Sequence, residues 1–376
     1  MRVALFTDAD VFAGTERHLI ALARGLKASG AEVSVACPPS SPVAEMATSS
    51  GVRVIGIGKK SLFDNRAILK LLNCLSTGEL EIIHAHNGRT AFLAAIAKTL
   101  ARRGRVVATQ HFLAPAHSHR RGPSGALSLI THRWISRTAD HHIAISQAVR
   151  NAMLERAEAA PNKITVVHNG IPAPDRSELR EKSAVKAALG IDAVRPLIVC
   201  AARLEPEKDI DTLIQAMKIV SQHPSQPFCV IAGEGTQRAR LEQEIQHLRL
   251  IDSVALLGFQ QDTLSLINAC DLLVLPSLAE PFGLAILEAM SLGKPVIATD
   301  VGGPLEIVQE RETGLFFPAG NAECLAKAIL TLTGNTTLAL QMGTKGKSHF
   351  HANFSVERMV RSTLAIYSQI ARPSAA

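Results

Sequence analysis

Aromatic residues make up only 4% of this 376-residue chain, with one Trp and one Tyr. Stacking platforms for bases are therefore scarce, which argues against single-stranded nucleic acid as a partner. Charge is also sparse, at 19% against 47% hydrophobic residues. That balance belongs to a globular chain and excludes a disordered one. No run reaches the ~18 uninterrupted apolar residues of a membrane span. The opening MRVALFTDAD meets Asp8 and Asp10 too soon for a signal peptide. The six cysteines (Cys37, Cys74, Cys200, Cys229, Cys270, Cys324) lie far apart and form no C-x-x-C. They read as reduced thiols, mostly small core hydrophobes, in a cytoplasmic protein. A G-x-G-x-x-G fingerprint is missing too. The nearest turn, IAGEG, has Arg at position 238, so a dinucleotide oxidoreductase is not supported.

What is present is alternation. Strands RVALFT, EVSVAC, VRVIGIG, EIIHAH, RVVATQ, HHIAIS and KITVVHNG are separated by helical patterns, notably residues 15–29, 67–75, 90–100 and 127–137. Near-continuous apolar strands between helices indicate a parallel sheet covered on both faces. Residues 172–183, PAPDRSELREKS, read as a linker. The alternation then restarts with PLIVCAAR, FCVIAGEG, SVALLGF, DLLVLPS, PVIATD and GLFFP. The length also suggests two cores. The expected fold is α/β, two facing doubly wound, Rossmann-like domains over 1–172 and 184–355. A last amphipathic helix, about 356–370, is expected to pack back on the first. Ligands of such folds sit at the carboxyl ends of the strands, here in a cleft between the domains. Charge divides the same way. Residues 1–172 carry 21 Lys+Arg against 11 Asp+Glu, a balance of +10; residues 173–376 carry 19 against 22, a balance of −3, which recovers the overall +7. A basic half suits an anionic partner such as a membrane surface or a phosphorylated acceptor.

The densest chemistry lies in residues 280–308, EPFGLAILEAMSLGKPVIATDVGGPLEIV. Glu280 stands in a loop before Pro281 and Gly283. Glu288 stands on the apolar run LAILEAM, a short helix. A carboxylate in such a helix needs donors, and ligand hydroxyls can supply them. The helix start offers free N–H groups and a positive dipole end, which suit a diphosphate. Arg203 and Lys208, in ARLEPEKD at a strand end, fit either a diphosphate or surface pairing with Glu205 and Glu207; Asp209 is expected to cap the next helix. Gly233, Glu234 and Gly235 form a glycine turn that fits a ligand contact or a plain tight turn. His111 follows RVVATQ. His86 in EIIHAH is expected to face the ligand and His84 the core. His117, His119, His141 and His142 are expected on loops and sheet edges. Two alternating strand histidines without a carboxylate beside them give no metal assignment.

ARLEPEKD, AGEG, LLGF, DLLVLPS and the 280–308 segment, in this order and spacing, resemble the C-terminal domain of family 4 glycosyltransferases, which are retaining, nucleotide-sugar-dependent GT-B enzymes. GTERHLIALARGLKASGAEV and VVHNGI resemble the first helix and inter-domain strand of the same family, so the resemblance spans the chain. It implies that Arg203 and Lys208 hold the donor diphosphate. Glu280 lies beside the sugar hydroxyls, and Glu288 takes the ribose hydroxyls. The backbone of Phe282, Gly283 and Leu284 faces sugar and phosphate. Gly14 belongs to the N-terminal glycine loop, where the family shows two glycines and this chain has Ala13-Gly14. His111 lies near the donor sugar.

The implied reaction moves a sugar from a nucleotide diphosphate to an acceptor hydroxyl, with fixed cations in place of a metal cofactor. The acceptor is expected to be a carbohydrate or lipid-linked molecule of cell-surface polysaccharide, lipopolysaccharide or glycolipid synthesis. The basic stretch 114–137, with Arg120, Arg121 and Trp134, suggests peripheral contact with the inner face of the membrane. Two other readings use the same architecture, a nucleotide-sugar 2-epimerase and a non-catalytic partner subunit. The EPFG context counts against the first. The presence of Glu280, Arg203 and Lys208 counts against the second.

Overall fold

The computed structural model describes residues 1–10, 13–58, 64–113 and 134–371. The chain forms two compact units, Met1–Pro172 with Val356–Ala376, and Ala173–Ser355. The basic stretch 114–133, with His117, His119, Arg120 and Arg121, lies outside the described residues. Trp134 is described; it is half-buried and edge-on to Phe92, with ring centroids 5.4 Å apart.

The first unit is built on seven strands: β1 (Arg2–Phe6), β2 (Glu32–Cys37), β3 (Arg53–Gly56), β4 (Ile82–Ala85), β5 (Arg105–Gln110), β6 (His141–Ala144) and β7 (Ile164–Val166). Their order is β3-β2-β1-β4-β5-β6-β7, with every pair parallel. The second has six: β8 (Leu197–Ala201), β9 (Phe228–Ala232), β10 (Val254–Gly258), β11 (Leu272–Leu275), β12 (Val296–Thr299) and β13 (Gly314–Phe317). Their order is β10-β9-β8-β11-β12-β13, again parallel. Both are doubly wound. The order reverses between β1 and β4 in the first sheet and between β8 and β11 in the second, and those reversals are where such sheets present ligand sites. Strands of the type LIVCA and VIAT are buried along nearly their whole length because helices cover both faces.

Periodicity places most helices. Leu19, Leu22, Ala23 and Leu26 are buried on the helix Gly14–Ala28. Three helices carry too weak a pattern to read. Pro42–Ser49 starts on a Ser41 side chain that accepts the Ala44 N–H at 3.2 Å. Gln147–Glu155 buries only Val149 and Met153. Thr336–Asn353 contains two glycines and few apolar positions, which lowers its intrinsic helicity. There Gly343 lies against the Gly293 carbonyl, where a Cβ would overlap it. Close packing of backbone, rather than an apolar stripe, holds that helix.

One expectation is corrected. His141 and His142 are not at a sheet edge; they lie in β6, between β5 and β7, and are 4% and 5% exposed. His141 is bonded to the Thr165 hydroxyl at 2.8 Å. The stretch 172–183, expected as a linker, opens at the boundary between the two units and is anchored to the second. Arg180 donates its backbone N–H to Ser265 Oγ (2.9 Å), and Lys182 Nζ pairs with Asp271 (2.5 Å). Asp209 is the helix N-cap, as expected, with φ of +47°, and its carboxylate accepts the Thr212 hydroxyl at 2.6 Å.

The last helix, Val356–Ala371, packs on Gly14–Ala28 within the first unit. Gly25 makes the approach close: a Cβ there would meet Val356 and Val360. Met359, Val360, Ile366 and Tyr367 join the core of β1, β2 and the first helix. Tyr367 is wholly buried, and its hydroxyl lies 2.6 Å from His84 Nδ1. Five of the six cysteines are buried and all six are free thiols; Cys324 is exposed. Among the described residues no helix is long and apolar enough to cross a membrane.

Candidate functional site

In the second unit the candidate residues gather at the carboxyl ends of β8, β9, β11 and β12. The turn after β8 carries Arg203 and then a short 3-10 turn, Pro206–Lys208. Lys208 Nζ reaches Glu280 Oε2 at 2.6 Å, and Ser277 Oγ donates to the same oxygen at 3.1 Å. Both charges are nearly enclosed, with side chains 13% and 9% exposed. Ser277 is itself fixed, since Thr299 Oγ1 donates to its carbonyl at 2.6 Å. The Leu278 N–H donates to the Glu207 carbonyl at 2.9 Å, so the loops after β8 and β11 are tied by backbone as well.

The turn after β12 completes this frame. The Gly303 N–H donates to the Glu280 carbonyl at 2.8 Å. Gly302 has φ of +68°, and a Cβ on it would overlap that same carbonyl. Only glycine accommodates both the left-handed backbone and the contact. The carboxylate of Glu280 is thus held from its own backbone, from Ser277 and from Lys208.

Gly283, with φ of +111°, turns the chain into the helix Leu284–Ser291 as its N-cap, so Leu284 opens that helix. No side chain caps this end. Helix-start N–H groups lack intrahelical partners, and the dipole adds positive potential there. Phe282 is 2% exposed and packs edge-on to Phe354, so its side chain is core. Glu288 is half-buried on the same helix.

Arg203 and Lys208 share a motif but not an environment. Arg203 pairs with Glu207 at 2.7 Å with both side chains well exposed, at 58% and 40%. Such a surface pair contributes about 0–1 kcal/mol, so an incoming anion can displace it. Glu234 is likewise exposed and pairs with Arg238 at 2.7 Å. The Gly233 N–H donates to the Gly258 carbonyl at 2.8 Å. Gly235 lies so close to Leu204 that a Cβ would overlap its backbone. This turn therefore ties the exits of β8, β9 and β10 together, and the Gly233 N–H is already used.

In the first unit Gly14 is exposed and opens the helix Gly14–Ala28, with the Ala13 N–H donating to Glu16 Oε2 at 3.1 Å. At the β1/β4 reversal stands a cluster of imidazoles. His86 Nδ1 lies 3.2 Å from His111 Nε2, and the His18 ring centroid is 4.9 Å from that of His111. His84 is bonded on both nitrogens, to Tyr367 and to Thr109 Oγ1, each at 2.6 Å. His86 is 1% exposed, deeper than its expected ligand-facing position, because it follows β4 into this cluster. Burial pushes His18 down to about 4 and His84 to about 3, with the His18 imidazole adding to the effect at His84. Burial, then the neighbouring imidazoles, hold His86 and His111 well below the ordinary histidine value. All four are neutral near pH 7. His18 has a legible signal that sequence reading passed over. It lies four residues before Leu22, on the apolar face of its helix.

Two family models match the chain. Glycosyltransferase Family 4 covers residues 12–173, and Glycosyl transferases group 1 covers 181–349. The chain belongs to glycosyltransferase family 4. The uncharacterized glycosyltransferase MJ1607 of Methanocaldococcus jannaschii is 26% identical, with 98% of each chain covered. The glycogen synthase of Mycobacterium tuberculosis is 28% identical over 95% of this chain and 91% of its own. The crystal structure of Anabaena Alr3699/HepE in complex with UDP-glucose is 25% identical, with a TM-score of 0.84 over 98% of this chain and all of that one. This family 4 glycosyltransferase has the GT-B architecture of two Rossmann-like parallel-sheet domains, as its strand orders show. It is an enzyme of sugar transfer; the epimerase and silent-subunit readings lack that support.

Proposed function

We propose that this glycosyltransferase takes its sugar from a nucleoside diphosphate donor and transfers it to an acceptor hydroxyl with retention of anomeric configuration. The observation that carries the donor half is the enclosed Lys208–Glu280–Ser277 arrangement, set beside an uncapped helix start and an exposed Arg203. Lys208, Arg203 and the N–H groups at the start of Leu284–Ser291 would neutralise the departing diphosphate. Those fixed positive groups would neutralise the diphosphate in place of a metal. Glu280 would orient the sugar through its hydroxyls, and Glu288 would take ribose hydroxyls. The backbone of Phe282, Gly283 and Leu284 would lie along the sugar and phosphates. Gly14 and His111 are proposed to meet the sugar or acceptor; a neutral imidazole can exchange a hydrogen bond with a hydroxyl without adding charge. UDP is the favoured carrier because the HepE neighbour, similar over nearly its whole length, is a UDP-glucose complex.

Retention implies that the leaving phosphate and the incoming hydroxyl share one face of the sugar, with the phosphate helping to take the hydroxyl proton. The test is incubation with UDP-glucose and a panel of oligosaccharide and lipid-linked acceptors, read by UDP release and by NMR of the new anomeric centre. An α product from the α donor is expected. A β product removes the retaining assignment. Absence of UDP release with any UDP-sugar, beside release from a GDP- or ADP-sugar, moves the assignment to another carrier.

The acceptor class proposed is carbohydrate or lipid-linked, at the inner face of the membrane, because the half of the chain up to residue 172 carries an excess of ten positive charges. Co-sedimentation with vesicles containing phosphatidylserine is expected for the wild type and reduced for Arg120→Glu with Arg121→Glu. Equal sedimentation of the two proteins contradicts this placement.

A further inference from the structure

His18, His86 and His111 come from three separate elements, the first helix and the exits of β4 and β5. They are 5%, 1% and 6% exposed. One nitrogen of each lies within 4.8 Å of the corresponding nitrogens of the other two. This is the one such grouping of potential ligands among the described residues. Nothing in the transfer chemistry above requires three imidazoles to converge, and His18 has no part in it.

The cluster is also poorly satisfied. Among the described residues neither ring nitrogen of His18 has a hydrogen bond of good geometry, nor has His86 Nε2. The Asn169 side chain approaches His18 and pulls its pKa upward, against the larger effect of burial. That approach falls short of a proper bond, since Asn169 Oδ1 is without a partner too. Several buried polar atoms without partners in one place are costly and mark an unfilled role.

We infer that His18, His86 and His111 form a three-nitrogen site for a divalent transition metal, zinc in particular. Neutral imidazole is the ligating form, and buried neutral imidazoles require no proton loss to bind. Nitrogens around tetrahedral zinc, at about 2.0–2.1 Å from the ion, stand about 3.3 Å apart. The His86 Nδ1 to His111 Nε2 separation, 3.2 Å, already matches this. His18 would complete the set by closing up to about 1.5 Å, from within 4.8 Å of the other two nitrogens to the tetrahedral spacing. Three protein nitrogens leave the fourth position for water or for a substrate oxygen. Metal on His111 Nε2 fixes that ring's proton on Nδ1, so His111 becomes a donor only. His84 sits behind the cluster, its ring 4.4 Å from that of His86 and held by Thr109 and Tyr367, and so supports the ligand ring. The inference rests on the geometry of the three rings and not on the donor reading, which also uses His111. Its ion belongs to the first unit, and no step of the transfer is routed through it.

The experiment is metal content. Full-length protein is stripped with chelator, dialysed and titrated with zinc against a chromophoric competitor. One zinc per chain is expected. His18→Gln should weaken binding by on the order of 100-fold or more, since even outer partners of a zinc ligand cost 10–100-fold. Cobalt in the wild-type protein should show the intense visible bands of a tetrahedral site, a readout that needs no variant. Stripped wild type that takes up no zinc overturns the inference. So does a His18→Gln protein of unchanged affinity, or a weak octahedral cobalt spectrum.

Discussion

Lys208→Met should lower kcat for sugar transfer by about 10²–10³-fold, the loss typical for removing one fixed group that meets developing charge. Arg203→Met should cost less, because Arg203 is exposed and must be recruited from its surface pair with Glu207. Lys208 also holds Glu280 in the resting protein, and its removal leaves an enclosed carboxylate with the Ser277 hydroxyl as the remaining partner of Oε2. Breaking such a pair typically costs about 3–5 kcal/mol. Activity and stability must therefore be separated. Lys208→Met combined with Glu280→Gln removes the stranded charge. The double variant should recover most of the lost stability and none of the activity. Denaturant unfolding and steady-state kinetics on the four proteins of this cycle decide the matter. Recovery of kcat in the double variant would show that Lys208 serves structure alone.

Ending the chain at Ser355 should unfold the first unit and leave the second intact. The removed helix contributes Met359, Val360, Ile366 and Tyr367 to the core of β1 and β2. Each fully buried large apolar side chain contributes about 1.5–3 kcal/mol. Together they rival the whole stability of a domain, about 5–15 kcal/mol. The truncation also leaves His84 Nδ1 without the Tyr367 hydroxyl and Gly25 facing solvent. Limited proteolysis should then digest residues 1–172 and preserve a fragment near Ala173–Ser355. Equal protection of both units would contradict this part played by the last helix.

The two helices Gly14–Ala28 and Val356–Ala371 show how far sequence carries and where it stops. Their apolar spacing is legible because burial on one face imposes a period. The strands of both sheets are legible for the related reason that parallel sheets bury both faces. The candidate site is legible as a set of residues at strand ends, since loop carboxylates, cations and glycines there have few structural uses. Its internal pairing is not. ARLEPEKD presents Arg203 and Lys208 alike, yet one turn of backbone sends Lys208 to Glu280, 72 residues away in sequence, and leaves Arg203 on the surface. Ser277 sits in DLLVLPS with no local mark of its task, which depends on Thr299 holding its carbonyl. His18 is similar: a polar residue on an apolar helix face is a visible mark, but its partners emerge only when β4 and β5 bring His86 and His111 to it. Thr336–Asn353 escaped because close packing at Gly343 replaces the apolar stripe that periodicity detects.

The proposed donor site at the carboxyl ends of β8 and β11 is tested most directly by thermal unfolding with UDP, GDP, ADP and NAD, on wild type and Glu288→Ala. At 100 times its dissociation constant a ligand adds about 2.7 kcal/mol of stability. The expected result is a stabilisation of that size by UDP, diminished in Glu288→Ala and absent with NAD. Stabilisation by NAD alone, or by UDP to the same extent in both proteins, would contradict a nucleoside diphosphate site at these strand ends.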